Sequence, residues 1–299
     1  MSTAECVVDC KAWLGEGPLW SPEERCLYWT DVPSYTVHRW NPASGETKTW
    51  KMPEMVASMA LRATGGMIVA TTTGIEFWNP VTDSRERVCA PDANFPANRS
   101  NDGKCDRRGR FWYGTMYNNL KADGTGQPIE GSTGNLYRID PDGSFHHFES
   151  DIGVSNTFAW SPDDTIMYFA DTFVGIYAYD FEAASGAISN RRLFAKTDDE
   201  SLGLGDGSTI DSQGFVWNAR FDGGCLIRWA PDGTIDRTVS LPCSRVTSAI
   251  FGGDDLDVLY VTTARYELSE GDLAEQPLAG GIFAIDTGTK GIAETPFAG

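Results

Sequence analysis

The sequence predicts an all-β protein, a six-bladed β-propeller, on three observations. Gly (32) and Pro (15) punctuate short β-rich runs rather than long helical periods. A turn of Asp, Pro and Gly type followed by an aromatic or β-branched run recurs six times: WSPEERCLYWTD from Trp20, LRATGGMIVATT from Leu61, CDRRGRFWYGTM from Cys105, WSPDDTIMYFADT from Trp160, IDSQGFVWNARF from Ile210 and FGGDDLDVLYVTTA from Phe251. The copies begin 41, 44, 55, 50 and 41 residues apart, a spacing that fits one four-stranded sheet per repeat with loops of varying length.

The remaining elements follow in order. Between the copies lie further strand-like runs, TVHRWNPASGE, GIEFWNPVTD, NLYRIDPDGS, GIYAYDFEAASG, CLIRWAPDGT and GIFAIDTGTKG, which supply the outer half of each blade. A solenoid with the same period would need end caps, whereas a propeller closes on itself and removes its free edges. The N-terminal ECVVDC run is expected to close the ring beside the last blade, around Gly281 to Ile285. Residues 1–299 are thus read as a single domain.

Composition narrows the function. Lys and Arg number 24 against 42 Asp and Glu, a formal net charge of −18. Such a surface repels phosphate backbones and anionic lipid, so no nucleic-acid or membrane partner is expected. A hydrophobic share of 41% is enough for a large core. The longest apolar stretches, such as Ile166-Met167-Tyr168-Phe169-Ala170, are strand-sized and far below the roughly 18 to 20 residues of a membrane helix. MSTAECVVDCKAW at the N-terminus lacks a basic start and an apolar core, so the expected compartment is the cytoplasm. The seven cysteines (Cys6, Cys10, Cys26, Cys89, Cys105, Cys225, Cys243) contain no CxxC pair and point to neither a disulfide framework nor a thiolate metal site. The sequon Asn98-Arg99-Ser100 reads as coincidence in a protein without an export signal.

Aligning the six copies on their turn exposes a chemical pattern. Four positions before each copy, where the chain enters the blade beside the central channel, stand Glu16, Ala57, Asn101, Asn156, Asp206 and Thr247. Four of six blades therefore carry an oxygen donor at one equivalent site, and symmetry gathers these four at one end of the channel. Asn and Asp also serve as ordinary turn formers, but coincidence across four repeats favours a shared purpose. Two carboxylates facing one point are costly when unpaired, and a divalent cation resolves that cost. The expected fold is thus a six-bladed β-propeller with a central metal site. Oxygen ligands suit Ca²⁺, Mg²⁺ or Mn²⁺, with Zn²⁺ or Fe(II) as alternatives. Gly15 and Gly17 flank Glu16, Gly205 and Gly207 flank Asp206, and such glycines allow close approach to a ligand. Gly203-Leu204-Gly205-Asp206-Gly207 is not a phosphate loop, since no Lys follows and no helix opens. Only three histidines occur, His38, His146 and His147, all in outer-strand runs, and no GxSxG elbow is present, so a nucleophilic triad is not expected.

With Leu14-Gly15-Glu16-Gly17-Pro18 and Trp20, Arg99-Ser100-Asn101-Asp102-Gly103, Gly114-Thr115-Met116, Ser155-Asn156, Gly205-Asp206-Gly207 and Pro277-Leu278-Ala279-Gly280-Gly281-Ile282-Phe283, the chain resembles the SMP-30/gluconolactonase/regucalcin family. The match runs over essentially the whole length, including ISNRR at Ile188 to Arg192 and FGG with YVTTAR between Phe251 and Arg265. The resemblance implies a single divalent metal held by Glu16, Asn156 and Asp206. It makes Arg99 and Asn101 substrate-contacting, with Asn101 beside the metal. Animal members carry an acidic pair just after the Gly-Thr-Met motif, where this chain has Tyr117-Asn118-Asn119. Asn119 is accordingly a candidate substrate-binding residue with altered hydroxyl recognition, and the pattern looks more like bacterial sugar-lactone hydrolases, including those acting on pentonolactones.

The expected activity is hydrolysis of a sugar-acid lactone, such as xylonolactone or gluconolactone, to the aldonic acid by a monomeric enzyme. The metal would polarise the lactone carbonyl and activate a water, and Asp206 is the candidate catalytic base. Arg99 would support the developing oxyanion, unless it is an ordinary surface salt-bridge partner. The competing expectations are a non-catalytic calcium-binding regulator and a promiscuous ester or phosphotriester hydrolase on the same fold.

Overall fold

The computed structural model describes residues 4–196 and 199–299. The short runs of alternating aromatic and β-branched residues fold into six four-stranded antiparallel sheets. The sheets are successive in the chain: blade 1 starts at Gly15–Ser21, blade 2 at Val56–Leu61, blade 3 at Asn98–Cys105, blade 4 at Ser155–Trp160, blade 5 at Leu204–Ile210 and blade 6 at Val246–Gly252. These six opening strands are innermost, and each packs against the opening strand of the blade on either side, so that they line a central channel. Each of the six repeated turns joins an innermost strand to the second strand of its blade, as anticipated. His38 lies on a third strand and His146 and His147 on a fourth, far from the channel in blade order.

The N-terminal run closes the ring where the sequence places it. Ala4–Val8 pairs antiparallel with Ile282–Asp286, in the register Ala4↔Ile285 and Cys6↔Phe283, and becomes the outermost strand of blade 6. First and last segments of the chain therefore share one sheet.

The core lies between blades. Trp29, Trp78, Trp112 and Trp217 are all fully buried. Two of them show how a turn residue anchors such a ring: the Trp112 indole donates to Asp106 (2.9 Å) and the Trp217 indole to Asp211 (3.0 Å). Each aspartate begins the turn after its innermost strand, and each is also held by a buried arginine, Arg110 or Arg228, both at 2.6 Å. A buried carboxylate with a cation and an indole on it is fully satisfied, which keeps the cost of its burial low.

Beyond Asp286 the chain crosses the end of the channel. The Gly291 amide donates to Leu256, Phe297 donates to Leu61 and accepts from Ala63, and Ala298 donates to Gly109, so this tail touches blades 6, 2 and 3 in turn. Phe297 is completely buried against Ile68, Phe111 and Tyr137. No helix among the described residues is long and apolar enough to cross a membrane.

Candidate functional site

Every innermost strand slips register at the same point: after Glu16, Val56, Ser100, Asn156, Gly205 and Val246. Such bulges re-aim side chains, and here they recur at the positions aligned from the sequence. Local conformation follows. Gly17, directly after Glu16, has φ +53°, and an added Cβ would lie 3.0 Å from the Ala57 carbonyl. Thr157 holds the equivalent place after Asn156 with φ 56°, a conformation that costs a β-branched residue on the order of 1–3 kcal/mol. Its hydroxyl donates to the Asp206 carbonyl at 2.8 Å, which fixes one donor-bearing strand against the next.

Arg99, Asn101, Asn119 and Asn156 form one hydrogen-bonded chain. Arg99 donates from Nη1 to Asn101 Oδ1 (2.7 Å) and from Nη2 and Nε to Asn119 Oδ1 (2.8 and 3.2 Å). Because Asn101 Oδ1 is taken by Arg99, its amide nitrogen faces the other way, donating to the Ser155 carbonyl (2.8 Å) and Asn156 Oδ1 (3.1 Å). Asn156 in turn donates to Thr172 Oγ1 (2.9 Å), and Thr172 donates to the Gly205 carbonyl beside Asp206 (2.8 Å). This chain separates the four aligned donors. Asn101 cannot turn its oxygen to the channel without releasing Arg99, whereas Asn156 Oδ1 accepts only from the Asn101 amide among the described residues.

Charge sharpens the picture. Burial raises the pKa of Glu16, and the neighbouring Asp206 and Asp102 carboxylates raise it further. Burial likewise raises Asp206, with Asp102 adding to it. Arg99, only 4% exposed, is lowered to about 10 by burial, against the pull of Glu16, Tyr266 and Asp206. Neither Glu16 nor Asp206 has an ion-pair partner among the described residues, and neither does Arg99. The surface salt-bridge alternative for Arg99 is thereby excluded.

Two carboxylates without an ion-pair partner among the described residues, with Arg99 and, for Asp206, Arg220 acting on them only beyond ion-pair distance, fit a hard divalent ion in donor chemistry. Among the described residues no group of three or more His, Cys, Asp or Glu is arranged to hold a metal, so a site here depends on Asn156 as the neutral ligand. Asp102, one residue beyond Asn101, sits deeper. Burial lifts its pKa to about 6 while Lys104 opposes the shift. Asp102 lines a narrow cavity of about 20 Å³, room for about one water. Its far wall is Glu294, Thr295 and Pro296 from the C-terminal tail, and Lys104 pairs with Glu294 at 3.1 Å.

Sequence reasoning missed Asp102, Thr172, Tyr266 and the tail. Asp102 and Thr172 stand inside strings already singled out, RSNDG and FADT, and the repeat alignment passes them over because it samples one offset only. Tyr266 is 7% exposed, packs edge-on against Trp13 and bears electrostatically on Arg99. Nothing in the periodicity marks it. The sequon asparagine, Asn98, is buried and donates to Asp92 and to the Thr133 carbonyl, which accords with its reading as coincidence.

Fold and channel mouth together define a six-bladed propeller with an oxygen-rich axial site. The family model described as "SMP-30/Gluconolactonase/LRE-like region" matches residues 14–265, and the chain belongs to that family. It is 37% identical over 298 residues to a 6-deoxy-6-sulfogluconolactonase of Pseudomonas putida, covering 99% of each chain. It is 34% identical over 297 residues to a pentonolactonase of Haloferax volcanii, covering 98% of this chain and 97% of that one. Among solved structures it resembles a calcium-binding protein, regucalcin, of Agrobacterium tumefaciens, with a TM-score of 0.91 at 27% identity over 99% of this chain and 97% of that one.

Proposed function

We propose that the protein is a metal-dependent lactonase that opens a sugar-acid lactone to the aldonic acid. The observation that carries this reading is the pair of carboxylates, Glu16 and Asp206, which have no ion-pair partner among the described residues and whose pKa values burial and neighbouring carboxylates raise, together with Asn156, which two hydrogen bonds through Asn101 link to the buried Arg99. Glu16, Asn156 and Asp206 would hold the divalent ion, which supplies Lewis acidity toward a carbonyl and toward water. Asp206 is the candidate to accept the proton of the attacking water. Arg99 offers fixed donors to the substrate oxygens as negative charge develops, and Asn101 orients both Arg99 and Asn156. Asn119, at the open side of Arg99, reads the substrate. Relatives named for gluconolactone-type and pentonolactone substrates support the reaction class. Residues 1–299 act as one propeller domain and as a monomer, and all seven cysteines are unpaired, in keeping with work in a reducing cytoplasm.

The test is acid release from gluconolactone and xylonolactone by protein stripped with a chelator and then resupplied with Ca²⁺, Mg²⁺, Mn²⁺, Zn²⁺ or Fe(II). Activity should vanish on stripping and return with at least one ion. A stripped protein of full activity overturns the metal mechanism, and ion binding without turnover of any lactone points instead to a calcium-binding regulator.

A further inference from the structure

We propose that the site is built for lactones that carry an anionic substituent, a sulfonate, phosphate or carboxylate, and that Asn119 sets this preference. The proposal rests on the lactonase reading for its reaction and on the geometry around Arg99 for its ligand. The Arg99 guanidinium is buried, and every partner it has is neutral: Asn119 Oδ1, Asn101 Oδ1 and the Ser100 carbonyl at 2.9 Å. Of its five N–H groups, the second on Nη2 has no acceptor among the described residues. Asn119 spends its oxygen on Arg99, so its half-buried amide nitrogen also has no acceptor among the described residues. The two unused donors belong to adjacent groups, and one of those groups is a cation.

The negative charges that bear on Arg99 are Glu16 and Asp206, with the Tyr266 phenol behind them. An ion held by Glu16 and Asp206 would take up their charge, and burial pushes the phenol up to about 12, which keeps it neutral. Arg99 would then be a buried cation without a counter-charge, an arrangement that is costly unless a ligand completes it. Guanidinium donors match the oxygens of a carboxylate, sulfonate or phosphate. A carboxylate at position 119 would neutralise Arg99 from within and close the patch. An amide leaves it open.

The patch is also held in shape and has room beside it. The Gln127 backbone amide donates to the Asn119 carbonyl (2.8 Å) and its side chain to the Asn118 carbonyl (2.7 Å), which ties down the loop carrying Asn119. On the Arg99 side of the patch, a cavity of about 300 Å³ is bordered by Arg99, Ser100 and Asn118 from blade 3 and by Thr72, Thr73 and Gly74 from blade 2, and Asn119 is not on its wall. The carboxylate on its wall, Asp92, already accepts from Asn98, Asn135 and Tyr137 and so is not the missing partner.

The experiment compares kcat/KM for six-carbon lactones that differ only in bearing a 6-hydroxyl, 6-sulfonate or 6-phosphate, in wild type, Asn119→Glu and Asn119→Asp. The wild type should favour a charged lactone at least tenfold, and both substitutions should shrink that ratio at least tenfold; the sulfonate and phosphate arms show which anion is preferred. Calorimetry with the matching cyclic ethers, which lack the carbonyl and cannot react, should show the same advantage for the charged ring and its loss in both variants. Equal wild-type affinity for neutral and charged rings, or a ratio untouched by both substitutions, overturns the proposal. If no lactone is hydrolysed, the lactonase reading falls and the calorimetric comparison alone decides the anion preference.

Discussion

Glu16 and Asp206 differ from Asp106 and Asp211 in having no ion-pair partner among the described residues. Asp106 and Asp211 are each held by an arginine and an indole, and their role is structural. Removing Glu16 or Asp206 should therefore cost activity rather than folding, because substitution relieves repulsion while deleting a proposed ligand. Asp206→Ala and Glu16→Gln are each expected to lower lactone turnover by at least about a hundredfold, or about 2.7 kcal/mol, with thermal midpoints at or above that of the metal-free wild type. Steady-state kinetics with melting curves in chelator checks both halves. An unchanged kcat in either variant removes that residue from the site.

Specificity also belongs to the residue scale. With Asn119 where a charged acceptor would grip one hydroxyl, discrimination at that hydroxyl should weaken, since bonds to charged groups contribute about 1.5–3 kcal/mol. Neutral five-carbon and six-carbon aldonolactones should accordingly be hydrolysed with comparable kcat/KM, and Arg99→Ala should impair both. A preference for gluconolactone above about a hundredfold, or about 2.7 kcal/mol, contradicts this, as does a fully efficient Arg99→Ala enzyme.

At the scale of elements, hairpin turns carry a repeated device. Asp142, Asp163 and Asp232 each accept from the backbone and hydroxyl of the Ser or Thr two residues on. Hydroxyl hydrogen bonds are the main cause that lowers all three below the ordinary value of 3.8, from Ser144 on Asp142, from Ser161 and then Thr165 on Asp163, and from Thr234 on Asp232. A carboxyl with a lowered folded-state pKa stabilises the fold above its unfolded value and loses that contribution as pH falls through the folded one. Asp232→Asn should therefore lower the urea midpoint at pH 7, and the gap from wild type should close between about pH 4 and pH 2. A gap independent of pH means that the turn does not depend on the charge. These turns were legible in the sequence, since Pro-Asp-Gly and Pro-Asp-Asp strings report on bonds made within a few residues. The bulges beside Glu16 and Asn156 were not, because a register slip is decided by the partner strand.

At the scale of the whole molecule, the ring is closed twice. Ala4–Val8 completes the last blade, and the C-terminal tail spans the channel end and buries Phe297 between blades 2 and 3. The ECVVDC closure could be read from the need of a propeller to close on itself and from a strand-like run at the start of the sequence. The tail could not, for GIAETPFAG has no strand period and its seating depends on a pocket made by Ile68, Phe111 and Tyr137. Phe297→Ala should cost about 3–5 kcal/mol of stability, measured by denaturant unfolding. A loss below about 1 kcal/mol shows that the pocket collapses or that the tail adds little.

The repeat count, the blade order, the ring-closing strand and the four donor positions were all determined by the sequence itself. Each follows from short-range periodicity and turn chemistry, which act between neighbours in the chain. Tertiary structure decided which of those donors is free to face the channel. Asn101 and Asn156 are the same residue at equivalent positions, yet the oxygen of one accepts from the Arg99 guanidinium and the oxygen of the other from the Asn101 amide. The same packing buried Arg99 among neutral hydrogen-bond partners and brought Glu294 up to Lys104 near Asp102. Those outcomes turn on contacts between residues distant in the chain, and side-chain orientation at such contacts is set by hydrogen-bond partners that only the closed ring brings together.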